Sequence, residues 1–501
     1  MLVPIPRLED FGLSPSTGFL PSEPPLQRLP HPAYDRWERV IDHFQPLLLS
    51  KRLRVVIDHL AILPVSHLEV EAEWRRAYSI LAFMAHGYIW GGENPADILP
   101  ASITYPLLQV SAHLGLPPVA TYSALCLWNF KPIFLSDGLD LDNLTTLTTF
   151  TGSIDEQWFY LVSIAMEARG GPAISLMLDA MQAARDDDLT SVVSSLRSLA
   201  EIIDDLGSLL MRMYESCDPH IFYHRIRPYL AGSKNMRDTG LPSGVRYEDG
   251  SADPAWRQYC GGSNAQSSLI QFFDIVLGIE HRTTGNKSKD ISSLQNEPDA
   301  ALARRNNFIQ EMRQYMPAQH REFLRTVEVV ANIREYVDAH RSNVQLCVAY
   351  DACLAMLRAL RDKHIQMVSR YVIVKSRESK AEYLQIPRNA DLTAGEQETQ
   401  SSAPVEKTEA GKKIRGTGGT ALIPFLRQAR DETTEPAVGA WARKLMSGSK
   451  RSQADTELEA ESRLFSTSPI SPVHSRSQDS TIVGLAGSWK IEDSGGGLCL
   501  Y

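Results

Sequence analysis

An all-α protein of two helical domains is what this sequence predicts, and three observations predict it. Apolar residues recur at three- and four-residue steps through most of the chain. They almost never alternate as a half-buried strand requires. Several of the periodic segments end in helix-stop signals, as where Gly91-Gly92 follows Trp90.

Taken in order, residues 1–32 are proline-rich and predict an extended segment over the surface. Helical patterning runs from Tyr34 to Leu60 and again from His67 to Trp90, where Val70, Trp74, Ala77, Tyr78, Leu81 and Met84 share a face. Shorter helices follow at Leu107–His113 and Val119–Asn129, with minor strand near Ile103. Residues 135–156 turn polar and lose periodicity, which places a boundary near 150 between a small N-terminal domain (1–150) and a large helical one (151–445). In the latter, helices are predicted over 157–167, 172–185, 189–217, 220–230, 266–279, 300–316, 320–338 and 350–374. The Gly-rich connection 231–264 is too long to lack a purpose. Residues 386–415 are acidic, Ser/Thr-rich and poor in aromatics, the composition of a mobile loop. The Ser-rich tail, 446–501, is too polar to fold alone and is expected to be disordered.

The 501 residues are 43% hydrophobic and 22% charged, ordinary for a globular chain, and the net charge of -9 argues against nucleic acid and anionic membrane as partners. Six cysteines without CxxC pairs point away from zinc and disulfides. The N-terminus carries acidic residues and prolines where a signal peptide would be apolar, and nowhere do 18 apolar residues run together. The expected location is the cytosol and the expected state a monomer.

The most informative stretch is YDACLAMLRALRDKHIQMVSRYVIV, 350–374. Its face of Cys353, Leu357, Leu360, His364, Met367, Val368 and Tyr371 sets one imidazole in an aliphatic stripe. An unpartnered polar group there costs a few kcal/mol, so His364 either has a hydrogen-bond partner or ligates something. GTGGT at 416–420 offers closely spaced backbone N–H groups and two hydroxyls to an anionic or zwitterionic ligand, but lacks the Lys-Ser/Thr of a phosphate loop. HRIRPYLAG at 224–232 sets Arg225 and Arg227 among aromatics, where a guanidinium can grip a carboxylate. GGSNA at 261–265 ends in Ala where a nucleophile elbow has Gly, so it reads as a tight loop with Ser263 near a helix N-cap. Phe159 and Ser163, four apart, suit the lining of a pocket for a flat ring and equally suit core packing.

In this order, the blocks AEWRRAYSILAFMAHGYIWG, FYHRIRPYLAG, GGSNAQSSLIQFFDIVLG, EMRQYMPAQHREFL, RDKHIQMVSRYV and GTGGT resemble the indoleamine 2,3-dioxygenase family, over about residues 34–430. The resemblance implies a haem b enzyme that adds both atoms of O2 across the indole C2–C3 bond of L-tryptophan, giving N-formylkynurenine on a route toward NAD. It also implies an external electron donor that keeps the iron ferrous. His364 then matches the proximal iron ligand, and Asp274 and Arg361 the residues beside a haem propionate. Phe159 matches the residue packing on the indole, Arg227 the one gripping the substrate carboxylate, and Ser163 the small hydroxyl of the distal pocket. Tyr122, Phe222 and Leu230 complete the wall, Ser263 and Asn264 stand beside the substrate, and Gly416, Thr417 and Gly418 close over its amino group. No side chain is cast as acid or base, and no distal histidine is evident. Asn264 departs from the small apolar residue many members have there. A polar amide narrows or re-hydrates the pocket, so the alternative is a weakly active or non-catalytic paralogue that senses haem or an indole.

Overall fold

The computed structural model describes residues 3–282, 308–378 and 422–448, with two short strands at 481–484 and 487–490. It divides into two units, Met1–Ala454 and Asp455–Tyr501, so the stretches before and after residue 150 lie in the same unit.

Residues 3–32 are less superficial than their prolines suggest. Leu8, Leu13, Phe19, Leu20 and Leu29 are buried, and Phe19 meets Phe323 with ring centroids 5.9 Å apart. Prolines set the extended backbone, but the apolar residues between them find a core to enter. Three short helices follow, α1 (Asp35–Asp42), α2 (Phe44–Leu49) and α3 (Leu53–Asp58), then the long α4 (Glu71–Trp90) and α5 (Ala101–Leu114). Strand near Ile103 is not found: Ile103 lies in α5, and the extended pair is β1 (Ile98–Leu99) just before it. The 119–129 segment makes one π-turn, Ser123–Leu127, rather than a helix, and runs into β2 (Phe130–Pro132), antiparallel to β3 (Leu144–Thr146).

The large helices are α6 (Ile154–Gly170), α7 (Pro172–Arg185) and α8 (Leu189–Met211), followed by the short turns α9 (Met213–Ser216), α10 (Pro219–Ile221) and α11 (Arg227–Leu230). Together Ile154–Arg185 is long and apolar enough to cross a membrane, but two-thirds (67%) of its most apolar window is buried inside the protein, the burial a core helix pair requires. The 231–264 connection is pinned by β4 (Val245–Tyr247), which pairs parallel with β1 and antiparallel with β5 (Trp256–Arg257). Then come α12 (Ser268–Val276), α13 (Phe308–Arg313), α14 (Ala318–Val330), α15 (Ile333–Ala339), α16 (Val344–Val368), α17 (Leu422–Glu432) and α18 (Ala440–Gly448). Helix α16 lies along α8, α6 and α7 flank α8, and α17 packs on α16. The cavity described below opens among α6, α12, α16 and α17.

The second unit, expected to be unstructured, contains an antiparallel ribbon of β6 (Thr481–Gly484) and β7 (Gly487–Lys490), with Thr481 opposite Lys490. Thr-Ile-Val and a Trp, flanking two glycines, carry the strand preference that the surrounding serines hide.

Candidate active site

Helix α16 presents to one cavity, of about 280 Å³, the face its sequence spacing draws: Leu357, Leu360, His364, Met367, Val368 and, in the π-turn Ser369–Val374, Tyr371. Cys353 continues the stripe beyond the cavity, its Sγ donating to the Leu196 carbonyl at 3.0 Å. Arg358, off that face, is buried against Asp431 at the far side. His364 makes no hydrogen bond to any described residue. Burial first, and the Arg361 charge second, push its imidazole down to about 4. The ring is therefore neutral at physiological pH, with a nitrogen lone pair free to bind a metal.

A second part of the cavity wall comes from α6, α11 and the loop before α12. Phe159 lines it, 4.8 Å centroid to centroid from Phe222, which in turn stands 5.6 Å from Tyr371. Arg227 opens α11, where the π-turn Phe222–Ile226 rotates it inward while Arg225 stays exposed. Its guanidinium lies over the Tyr223 ring at 5.4 Å, and burial lowers its pKa while leaving it cationic. Leu230, Tyr122, Ser263 and Asn264 also line the cavity, Asn264 as an exposed residue. Gly261 and Gly262 allow this loop its position: a Cβ on Gly261 would stand 2.0 Å from the Leu230 carbonyl oxygen and one on Gly262 2.4 Å from Leu125 Cδ1.

Two expectations change. Ser163 is buried but does not line the cavity; its Oγ donates back to the Phe159 carbonyl at 3.4 Å, the usual alternative for a helical serine. Ser263 caps the turn 264–266, accepting from Ala265 N, whereas α12 is capped by Ser267, accepting from Ile270 N. Gly416, Thr417 and Gly418, and the 386–415 loop, lie outside the described residues.

At one end of the cavity the Arg361 Nη2 donates to both oxygens of Asp274, at 2.6 and 2.8 Å, and Nη1 to the Ala429 carbonyl and the Thr433 hydroxyl. His281 joins Asp274 (3.0 Å) to Glu432 (2.7 Å). Burial would raise Asp274, but Arg361 and His281 outweigh it and hold its carboxyl below the usual range. His281 moves upward in turn, its two carboxylates overcoming burial. His281, Glu432 and Thr433 escaped the sequence reading, although His281 follows Asp274 by only seven residues, just past the end of α12.

A profile of the indoleamine 2,3-dioxygenase family matches residues 7–436. The chain belongs to that family. Among relatives, an indoleamine 2,3-dioxygenase of Saccharomyces cerevisiae is 44% identical over 447 residues, covering 87% of this chain and 94% of the relative. One of Aspergillus candidus is 40% identical over 432 residues (85% and 96%), and a 6-hydroxytryptophan 2,3-dioxygenase of Fusarium equiseti is 35% identical over 432 (86% and 97%). The indoleamine 2,3-dioxygenase family is one of haem-dependent dioxygenases, so this chain is a dioxygenase whose cofactor is haem. The residues present fit that group. A neutral imidazole without a described partner faces an apolar cavity, and Arg361, which lines it too, keeps an Nε–H free among the described residues for an acidic edge. Haem, when bound, supplies the iron chemistry that activates O2.

Proposed function

We propose that this dioxygenase acts on L-tryptophan, adding both atoms of O2 across the indole C2–C3 bond to give N-formylkynurenine, the entry to kynurenine and NAD synthesis. The observation that carries this reading is that Arg227 and the Phe159–Phe222 pair line the same cavity as His364. His364 would hold the iron. Phe159 and Phe222 offer a flat apolar rest for an indole, and Arg227 a fork for the α-carboxylate, fixing one ring edge toward the iron. The apolar lining excludes water, and no acid–base side chain is required of the wall. The alternative of a non-catalytic sensor rested on Asn264; its exposed position removes the buried amide that reading needed. A monomer in the cytosol, served by an external reductant, completes the proposal. The test is turnover of haem-loaded, reduced protein with L-tryptophan under ¹⁸O₂. Product four mass units heavier supports the reading; no product, or a single labelled oxygen, overturns it.

A further inference from the structure

A buried carboxyl beside the cavity has no part in the proposed function. Glu167, in α6, is 2% exposed and stands directly behind the cavity wall. Its Oε1 accepts from the Tyr122 hydroxyl at 3.0 Å and from the Ser267 hydroxyl at 2.6 Å, and both of those residues line the cavity. Its Oε2 is buried with no hydrogen-bond partner among the described residues. The carboxyl thus joins three pieces of the wall: the Tyr122–Cys126 segment, the N-cap of α12, and α6, which carries Phe159. A second tie runs alongside, with Gln266 Oε1 accepting from Tyr122 N at 2.8 Å and Nε2 donating to the Gly261 carbonyl at 2.8 Å.

The groups facing Glu167 do not compensate a charge. Tyr122 and Cys126, from the neighbouring segment, are themselves pushed well up, by burial first and by Glu167 among the other causes, so neither ionises near neutrality. From α12 comes the neutral Ser267. His320, which reaches this end only as far as the Ser268 hydroxyl (3.2 Å), is driven down to about 3 by burial and Arg75 and stays neutral. No arginine, lysine or histidine bonds Glu167 among the described residues. Burial raises its carboxyl to about 7 against the pull of the Ser267 and Tyr122 hydrogen bonds. The bare Oε2 is the natural seat of the proton.

We propose that Glu167 is a positioning residue of the cavity wall, tying Tyr122 and Ser267 to the helix that carries Phe159, and that filling the cavity with a ligand selects its protonated form. A ligand that displaces water from this wall deepens the desolvation of Glu167, which favours the neutral carboxyl. By linkage, binding takes up a proton, and affinity falls as pH rises through the ionisation. The inference rests on the reading of the cavity as the indole site.

The experiment is calorimetric titration of the ferric haem protein, which does not turn over, with L-tryptophan and with uncharged indole. Buffers of differing ionisation enthalpy, across pH 6 to 8.5, count the protons taken up. The wild type should take up a fraction of a proton with either ligand, and its affinity should fall severalfold over that range, tenfold per pH unit being the ceiling that uptake of one full proton would set. Glu167→Gln, which keeps the acceptor and cannot titrate, should take up none and bind with flat pH dependence. Tyr122→Phe removes one donor that favours the charged form, and should move the transition to higher pH. Ligand binding with unchanged proton uptake in Glu167→Gln overturns the inference alone. If neither ligand binds the wild type, the indole reading falls and takes the inference with it. Should Glu167→Gln fail to fold or to hold haem, Tyr122→Phe carries the test, and an unmoved transition overturns the proposal.

Discussion

Replacing Arg361 by alanine removes the cation from a pair that is nearly dry: the two side chains are 13% and 7% exposed, and the guanidinium meets both Asp274 oxygens. Removing one partner of a buried pair costs about 3–5 kcal/mol, because the other is left as an uncompensated charge. Here His281 still faces Asp274 at 3.0 Å, which argues for the lower end, about 3 kcal/mol. The Thr433 hydroxyl also loses its donor, and the Ala429 carbonyl loses one of three, keeping the Thr433 hydroxyl and N–H, which loosens α17 from α16. Unfolding entropy of about 2 cal/mol/K per residue, spread over a unit the size of Met1–Ala454, converts that cost to a fall in Tm of about 3 °C. The assay is urea and thermal unfolding of the haem-free protein at pH 7, followed by circular dichroism. Adding Asp274→Asn to Arg361→Ala should recover part of the loss, since an amide needs no cation, and the double-mutant cycle reads the coupling directly. A single variant within 0.5 kcal/mol of wild type, or additive losses in the cycle, would refute the argument that this end of the cavity is held by a desolvated pair.

Other consequences follow from the same geometry. His281 has its pKa raised on folding, so its contribution is complete below the unfolded value of about 6.5 and is lost as pH climbs through the folded one. His281→Gln should flatten the decline of stability above pH 6.5 in the haem-free protein, and an unchanged slope contradicts the assignment. Arg227→Gln gives up a shielded, charge-assisted carboxylate fork of about 1.5–3 kcal/mol, or about 10- to 150-fold in kcat/KM for L-tryptophan, with less effect on an indole that has no carboxylate. Equal losses for both ligands would remove Arg227 from that role. Gly261→Ala, forced against the Leu230 carbonyl, should cost about 2 kcal/mol or more and shift the wall that Gly262 and Ser263 form, measurable as lost stability and weakened ligand binding together. Asn264→Ala, at an exposed position, should leave kcat/KM within about threefold; a large gain would restore the view that the amide obstructs the pocket.

Much of the site was legible because it follows helix periodicity. The spacing of Leu357, Leu360, His364, Met367 and Val368 alone places them on one face, and that face meets the cavity. Position four from Phe159 did not suffice for Ser163, because a helical serine can satisfy itself on the preceding turn. The π-turns at Phe222–Ile226 and Ser369–Val374 are invisible to a 3.6-residue reading, yet the first separates Arg227 from Arg225 and the second turns Tyr371 inward. The His281–Glu432 link joins residues 151 apart in sequence, and no local pattern announces such a contact. Prolines misled at the N-terminus, where they report backbone shape and not burial. Asp274 and Arg361 came from the resemblance, and their mutual bonding from the structure.

The central claim is that His364 holds the iron over a cavity shaped for an indole amino acid. The most direct measurement is the absorption spectrum of haem-loaded wild type and His364→Ala, each ferric and ferrous, before and after L-tryptophan. The account predicts a stoichiometric Soret band in the wild type that shifts with tryptophan, and a His364→Ala protein that folds but loses its haem on desalting. A variant that keeps stoichiometric haem with the wild-type spectrum would contradict it.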